Sequence, residues 1–254
     1  MIRLGHPIHR FATISSTMDE LDRLARAGAP EGAAVVAEQQ EQGRGRAGRI
    51  WQTAPGTAFL CSVLLRPELG TRQISSLSLV AGVAIAEAIE DVSDLSCRLK
   101  WPNDVLINGK KVCGILAQSR SIGAHVDFIN LGFGVNVNSG LAELPDSATS
   151  IAIEAGRQFD LAGFERLAFA RLSQRYAEWR EAGGRPSLDS WLRRALFLGE
   201  SVEIQQEQGV ITGQLIGVDA GGALRLETER GEISVAIGEL TRGPRASVAA
   251  SQEK

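Results

Sequence analysis

Apolar positions recur along this chain in two periods, and the switches between them divide it into elements. In STMDELDRLARAG, Leu21, Leu24, Ala25 and Gly28 fall at helical spacing. Thr17 is expected to cap this helix, with Glu20 completing a capping box and Gly28 ending it. AAVVAEQ (33–39) and TAFLCSVLL (57–65) are short apolar runs of strand length. Residues 72–90 predict a buried helix: Ile74, Leu77, Ala81, Ala84 and Ala88 share one side, and Val80, Val83 and Ile85 broaden it. Strand patterns return in CRLKW, DVLING, KKVCGILAQS and HVDFINLGFGVNV, with a hairpin turning at Asn108-Gly109. Leu161 to Ala182 is helical again, stopped by Gly183-Gly184, and Pro186 to Leu196 forms a shorter helix. From 199 to 242 the runs SVEIQ, GVITGQLIGV, ALRLET and EISVAI alternate between glycine turns, the pattern of a small β-barrel or sandwich. The polar tail 244–254 is expected to be mobile.

Composition narrows the function. Hydrophobic residues make up 44% and charged residues 22%, as in an ordinary soluble globular protein. The net charge of −3 disfavours a protein that coats nucleic acid. Cys61, Cys97 and Cys113 are odd in number and widely spaced, which fits buried thiols in a reducing cytoplasm rather than disulfides or a zinc site. MIRLGHPIHRF lacks the apolar run of a signal peptide, and Leu77–Ile89 is too short and too charged, at Glu87, to span a membrane.

Against that mildly acidic background GRGRAGRIW (43–51) is a local exception, with Arg44, Arg46 and Arg49 set among glycines. Arginine offers a planar fork of donors to carboxylate or phosphate, and glycine lets the backbone approach a ligand closely. The loop is open to three readings: a nucleotide-phosphate loop, an RNA-binding segment, or a solvated basic turn. It is not a G-x-x-x-x-G-K-[ST] loop. Only Glu38 and Glu41 lie near in sequence to pair with it, so without a ligand the loop should repel itself and be mobile. KWPND (100–104) groups Lys100, Asn103 and Asp104. Across the hairpin, Lys110 and Lys111 are adjacent on a strand, so one of them faces the ligand side of the sheet and the other faces water. GFGVNVN (132–138) ends an apolar strand with Asn136 and Asn138, its glycines suggesting the approach of a flat or bulky group.

AEQQEQGRGRAGRIW, KWPNDVLINGKKVCGIL and GFGVNVN, in this order, resemble the three signatures of the biotin–protein ligases, also called biotin–[acetyl-CoA-carboxylase] ligases. The resemblance runs from about Phe11 to Arg242. It implies an α+β fold: a mixed β-sheet with packed helices, class II synthetase-like, in residues 1–197, then an SH3-like β-barrel in 198–243. It implies an enzyme that joins biotin to AMP from ATP, with Mg²⁺, and passes it to a lysine of a biotin carboxyl carrier domain. Matched to the family's positions, Lys111, Arg46 and Asp104 are the catalytic candidates. Ser16, Thr17, Met18, Gln40, Arg44, Gly45, Arg46, Lys111 and Gly114 fall on the biotin side. Arg44, Arg46, Arg49, Trp51, Asn103, Asp104, Lys111 and Asn136 fall on the adenylate side, with Asp104 also the candidate Mg²⁺ ligand. Arg44 and Arg46 match the arginines of a lid that shields the mixed anhydride from water.

Two departures stand out. The family often has S-T-N before its first helix, and here Met18 replaces the asparagine, leaving a backbone N–H but no amide. The sequence also starts close to the catalytic domain, so no helix-turn-helix domain and no operator binding are expected. The expected partner is the carrier domain, not DNA, RNA or a membrane, and the expected state is a cytoplasmic monomer or homodimer. A lipoate or octanoate transferase is the rival of similar fold. An RNA-binding protein and a module without turnover are the rivals from other classes. His6, His9 and His125 lie outside the motifs.

Overall fold

The computed structural model describes residues 2–67, 74–122 and 125–243. The expected start of the second helix at 72–73 and the tail 244–254 lie outside them. A seven-stranded sheet is built from β1 (Ile8–Ile14), β2 (Ala34–Gln40), β3 (Ala58–Leu65), β4 (Cys97–Lys100), β5 (Asp104–Ile107), β6 (Lys110–Ile122) and β7 (His125–Asn136). Its order is β1-β2-β3-β7-β6-β5-β4. The β1–β2 pair is parallel and every other neighbour antiparallel, so the sheet is mixed, as expected. Strand β1 is not marked in the sequence. Its residues are mostly half-buried or exposed at the sheet edge, so HRFATI carries little apolar signal.

One face of the sheet carries the main core. Helix α2 (Ile74–Ser93) lies against it, and Leu77, Val80, Val83, Ala84, Ile85 and Ile89 are at most 3% exposed. Burying each large aliphatic side chain contributes about 1.5–3 kcal/mol. Helix α4 (Leu161–Ala182) packs over α2 and meets the sheet at Phe59, whose ring makes edge contacts with Phe133, Phe164 and Phe169 at centroid distances of 5.4, 6.1 and 5.7 Å. A short helix, α3 (Ile151–Ala155), joins β7 to α4. Its five residues give too little periodicity to read in advance. Helix α5 (Arg185–Arg194) follows the paired glycines.

The other face is only partly covered. Helix α1 (Thr17–Arg26) closes a second, smaller core of Leu21, Ala25, Ala33, Val35, Leu64 and Phe128. Its N-cap is Ser16, not Thr17: the Ser16 hydroxyl accepts from Met18 N–H at 3.3 Å. The expected capping box does not form, because Glu20 pairs with Arg23 one turn on. Thr17 is thereby freed for other contacts.

Residues 201–242 form an antiparallel sheet of β8 (Ser201–Gln206), β9 (Gly209–Val218), β10 (Leu224–Thr228), β11 (Gly231–Val235) and β12 (Glu239–Arg242), in the order β11-β10-β9-β8-β12. This is the small C-terminal β domain that was expected. Val202, Ile204, Leu215, Leu224, Leu226, Val235 and Leu240, at most 4% exposed, come from all five strands. The sheet therefore curls around its own inner face. It docks on the larger unit where the Trp101 indole N–H donates to the Gly222 carbonyl at 3.0 Å. Among the described residues no helix is long and apolar enough to cross a membrane.

Candidate active site

The uncovered part of the large sheet is the floor of a cavity of about 830 Å³. Strands β6 and β7 set glycine opposite glycine there, Gly114 against Gly134, with Gly132 opposite Leu116. Without side chains, the backbone itself becomes the floor. A methyl group on Gly134 would sit 2.6 Å from the Trp51 indole, and one on Gly132 would sit 2.9 Å from the Met18 thioether. Trp51 and Met18 thus lie directly on the sheet. The Trp51 indole N–H is buried without a hydrogen-bond partner.

At one end of the cavity the groups are neutral and polar. Gln40 Oε1 accepts from both the Thr17 N–H, at 2.8 Å, and the Thr17 hydroxyl, at 3.0 Å. The buried Ser62 hydroxyl donates to Thr17 Oγ1 at 2.9 Å. Asn130, also buried, donates to the Met18 carbonyl at 2.7 Å and so fixes the first turn of α1. Neither Ser62 nor Asn130 belongs to a recognisable motif.

At the other end the groups are charged. Lys111 faces the cavity while Lys110 is exposed, as strand alternation requires. Lys111 Nζ lies 2.6 Å from Asp104 Oδ1 and 5.6 Å from the Trp51 ring centre. The Lys111 backbone is held on both sides: its N–H donates to the Ser147 carbonyl, and its carbonyl accepts from Thr149 N–H, each at 2.9 Å. The same segment accepts from the Asn136 side chain at the Thr149 carbonyl, 3.0 Å away, leaving Asn136 Oδ1 buried and unpaired. Asn103 donates to the Ile115 carbonyl at 2.7 Å, tying the start of β5 to β6.

The arginine loop covers this end. Two of its cations find carboxylates that are distant in sequence, which corrects the expectation of a self-repelling loop. Arg44 pairs with Asp19 of α1 at 2.6 Å, and Arg49 pairs with Glu239 of the C-terminal domain. Arg46 lies between Asn103 Oδ1 and the Gly238 carbonyl, at 3.4 Å from each. Burial draws its guanidinium below the ordinary value, and the nearby charge of Asp104 acts against that. Gly45 opens the turn at Arg46–Gly48, where Gly48 takes a positive φ of 73°. The C-terminal domain also lines the cavity with Gln205, Gln206, Glu207 and Ile237. No sequence motif marks these residues. Among the described residues no three His, Cys, Asp or Glu side chains cluster as a metal cage.

Two family models match the chain: the Biotin/lipoate A/B protein ligase family over residues 11–136, and the biotin protein ligase C-terminal domain over 197–239. The Bacillus subtilis bifunctional ligase/repressor BirA is 36% identical over 232 residues, covering 90% of this chain and 71% of that protein. The Paracoccus denitrificans biotin–[acetyl-CoA-carboxylase] ligase is 34% identical, covering 91% of this chain and 99% of that one. This chain belongs to the biotin protein ligase family. The solved biotin protein ligase from Aquifex aeolicus in complex with biotin and ATP has the same fold, with a TM-score of 0.81 and 30% identity over 94% of this chain and all of that one. The cavity of this family member gathers all three signature segments: the arginine loop, the KWPND hairpin and the glycine-floored strand.

Proposed function

We propose that this chain is an ATP-dependent ligase that attaches biotin to a lysine of the biotin carboxyl carrier protein of acetyl-CoA carboxylase and related carboxylases. One observation carries the reading: a neutral polar end, a glycine floor and a cluster of cations line a single cavity. A ligand spanning it would carry a compact polar ring, a chain and a phosphate.

In the first step a biotin carboxylate oxygen attacks the α-phosphorus of ATP. The bond to the bridging oxygen breaks, and pyrophosphate leaves. In the second step the neutral amine of the carrier lysine attacks the acyl carbon of the mixed anhydride. The bond to AMP breaks, the nitrogen loses a proton, and AMP leaves. Negative charge gathers at the phosphate in both steps, so preorganised cations lower the barrier.

Lys111 is the cation assigned to that charge, held by its backbone contacts and kept in place by Asp104 until a ligand anion replaces the carboxylate. Arg46 and Arg44 close the loop over the intermediate, and Arg49 faces the triphosphate. Ser16, Thr17, Met18 and Gln40 take the ring of biotin, with Gly45 and Gly114 giving room for its chain. Trp51 and Asn103 take the adenylate, and the unpaired Asn136 Oδ1 is an acceptor suited to adenine's amino group. Among the described residues no three carboxylate, histidine or cysteine side chains form a metal cage, so Mg²⁺ would be held mainly by the ATP phosphates, with Asp104 the protein carboxylate beside it and charge neutralisation its contribution.

The test is pyrophosphate–ATP exchange with biotin and with lipoate, followed by transfer to purified carrier domain. Exchange and transfer with biotin support the reading. Exchange with lipoate alone would move the chain to the lipoate branch, and silence with both would leave a binding module.

A further inference from the structure

The hydrogen bonds at the neutral end have only one consistent direction. A backbone N–H can only donate, so the atom 2.8 Å from Thr17 N is the oxygen of the Gln40 amide. That oxygen has no proton, so the Thr17 hydroxyl at 3.0 Å must donate to it. The Thr17 proton is then used, and the 2.9 Å contact with Ser62 requires the Ser62 hydroxyl to donate. Both lone pairs of Gln40 Oε1 are occupied, which leaves Nε2 as the free part of the amide. Nε2 lies on the arginine-loop side, 3.1 Å from the place a methyl group on Gly43 would take.

Ser62 is 0% exposed and does not line the cavity, so it acts from behind Thr17. We propose that Ser62 is a positioning residue that sets which groups at the Thr17–Gln40 end donate and which accept, and so selects a ligand group presenting a carbonyl oxygen. Its donated proton holds the Thr17 hydroxyl on Gln40, a second donor to the amide oxygen that the Thr17 N–H already orients, so both lone pairs of Oε1 stay occupied and the NH₂ is the group left to a ligand. A cyclic urea offers the matching oxygen. The proposal rests on the biotin reading and deepens it. Without Ser62 the Thr17 hydroxyl is free to turn. Gln40 Oε1, still held by the Thr17 N–H, then regains one lone pair, and this end of the cavity gains an acceptor for a ligand that donates, such as an iminium N–H.

The test uses biotin and 2-iminobiotin, in which a protonated imine replaces the carbonyl oxygen, in pyrophosphate–ATP exchange. Wild type, Ser62→Ala and Ser62→Thr are compared, with melting temperature as a check of folding. In Ser62→Ala the KM for biotin should rise about three- to tenfold, the scale of one well-placed hydrogen bond. Its kcat and its KM for ATP should stay near wild type, and its preference for biotin over 2-iminobiotin should narrow. Ser62→Thr, which keeps the hydroxyl, should restore the preference. An unchanged preference in a folded Ser62→Ala protein would overturn the proposal, as would kcat and both KM values worsening together. If wild type itself gives no exchange with biotin, the functional reading falls, and this proposal falls with it.

Discussion

Lys111 and Asp104 face each other across the β5–β6 hairpin with Nζ 2.6 Å from Oδ1, an ion pair without an aligned hydrogen bond to that oxygen. The pair is only 30% and 21% exposed. A partly buried pair of this kind loses more when one partner is removed than it contributes intact. Lys111→Ala should lower biotin-dependent exchange by about 100- to 1000-fold, the scale of losing one preorganised charge-stabilising group. Its melting temperature should fall by only a few degrees, roughly the effect of 1 kcal/mol. Normal exchange in the folded variant would remove Lys111 from the mechanism.

Arg46 donates to Asn103 Oδ1 and the Gly238 carbonyl, both at 3.4 Å, long hydrogen bonds that contribute little to the fold. Arg46→Gly should leave the melting temperature within about 2 °C of wild type, as expected for a loop side chain whose hydrogen bonds are long. The activated intermediate should escape faster. The readout is the dissociation rate of biotinyl-AMP from the variant, together with labelling of bystander lysines. A dissociation rate equal to wild type would mean that Arg46 is no lid.

On the proposed function, Glu239 would compete with phosphate for Arg49. Its pair is half exposed, so it adds little stability, about 0–1 kcal/mol. Glu239→Gln should leave stability unchanged and lower the KM for ATP about two- to fivefold at low salt, the effect fading as salt screens the site. A higher KM would instead make Glu239 a contributor to ATP binding.

The three thiols give a pH signature. Burial raises all of them, Cys97 to about 12 from an ordinary 9.0 and the fully enclosed Cys61 and Cys113 strongly upward. They stay protonated in the folded protein, so thiol reagents at pH 8 should label them only after denaturant is added. Below pH 9 the raised values cost nothing, because both states hold the proton. Above it the unfolded chain ionises first, so stability should fall as pH climbs from 9 towards about 12. Urea melts at pH 8, 9.5 and 10.5 check the sign.

The elements that bury one clear stripe or alternate cleanly were legible in the sequence: α1, α2, α4, and the hairpin turning at Asn108-Gly109. Strand β1 was not, because an edge strand with few buried side chains leaves little pattern. Thr17 was misplaced as a cap because Ser16 beside it serves equally well, and only Gln40 and Ser62 in three dimensions decide between them. Asp19, Glu239 and Gly238 escaped notice because their partners in the arginine loop are far away along the chain. Local spacing marks the groups that face a ligand, but not the groups that restrain them.

Those restraints have a consequence for encounter. Arg44, Arg49 and Lys111 each hold an internal carboxylate. On the proposed function, an arriving nucleotide would exchange one anion for another at these three cations and meet a guanidinium without a carboxylate partner at Arg46. Paired charges would attract polyanions only weakly from a distance, so RNA is expected to compete poorly for the site. Entry would then depend on fit at short range, with a phosphate and a ring reaching their places together.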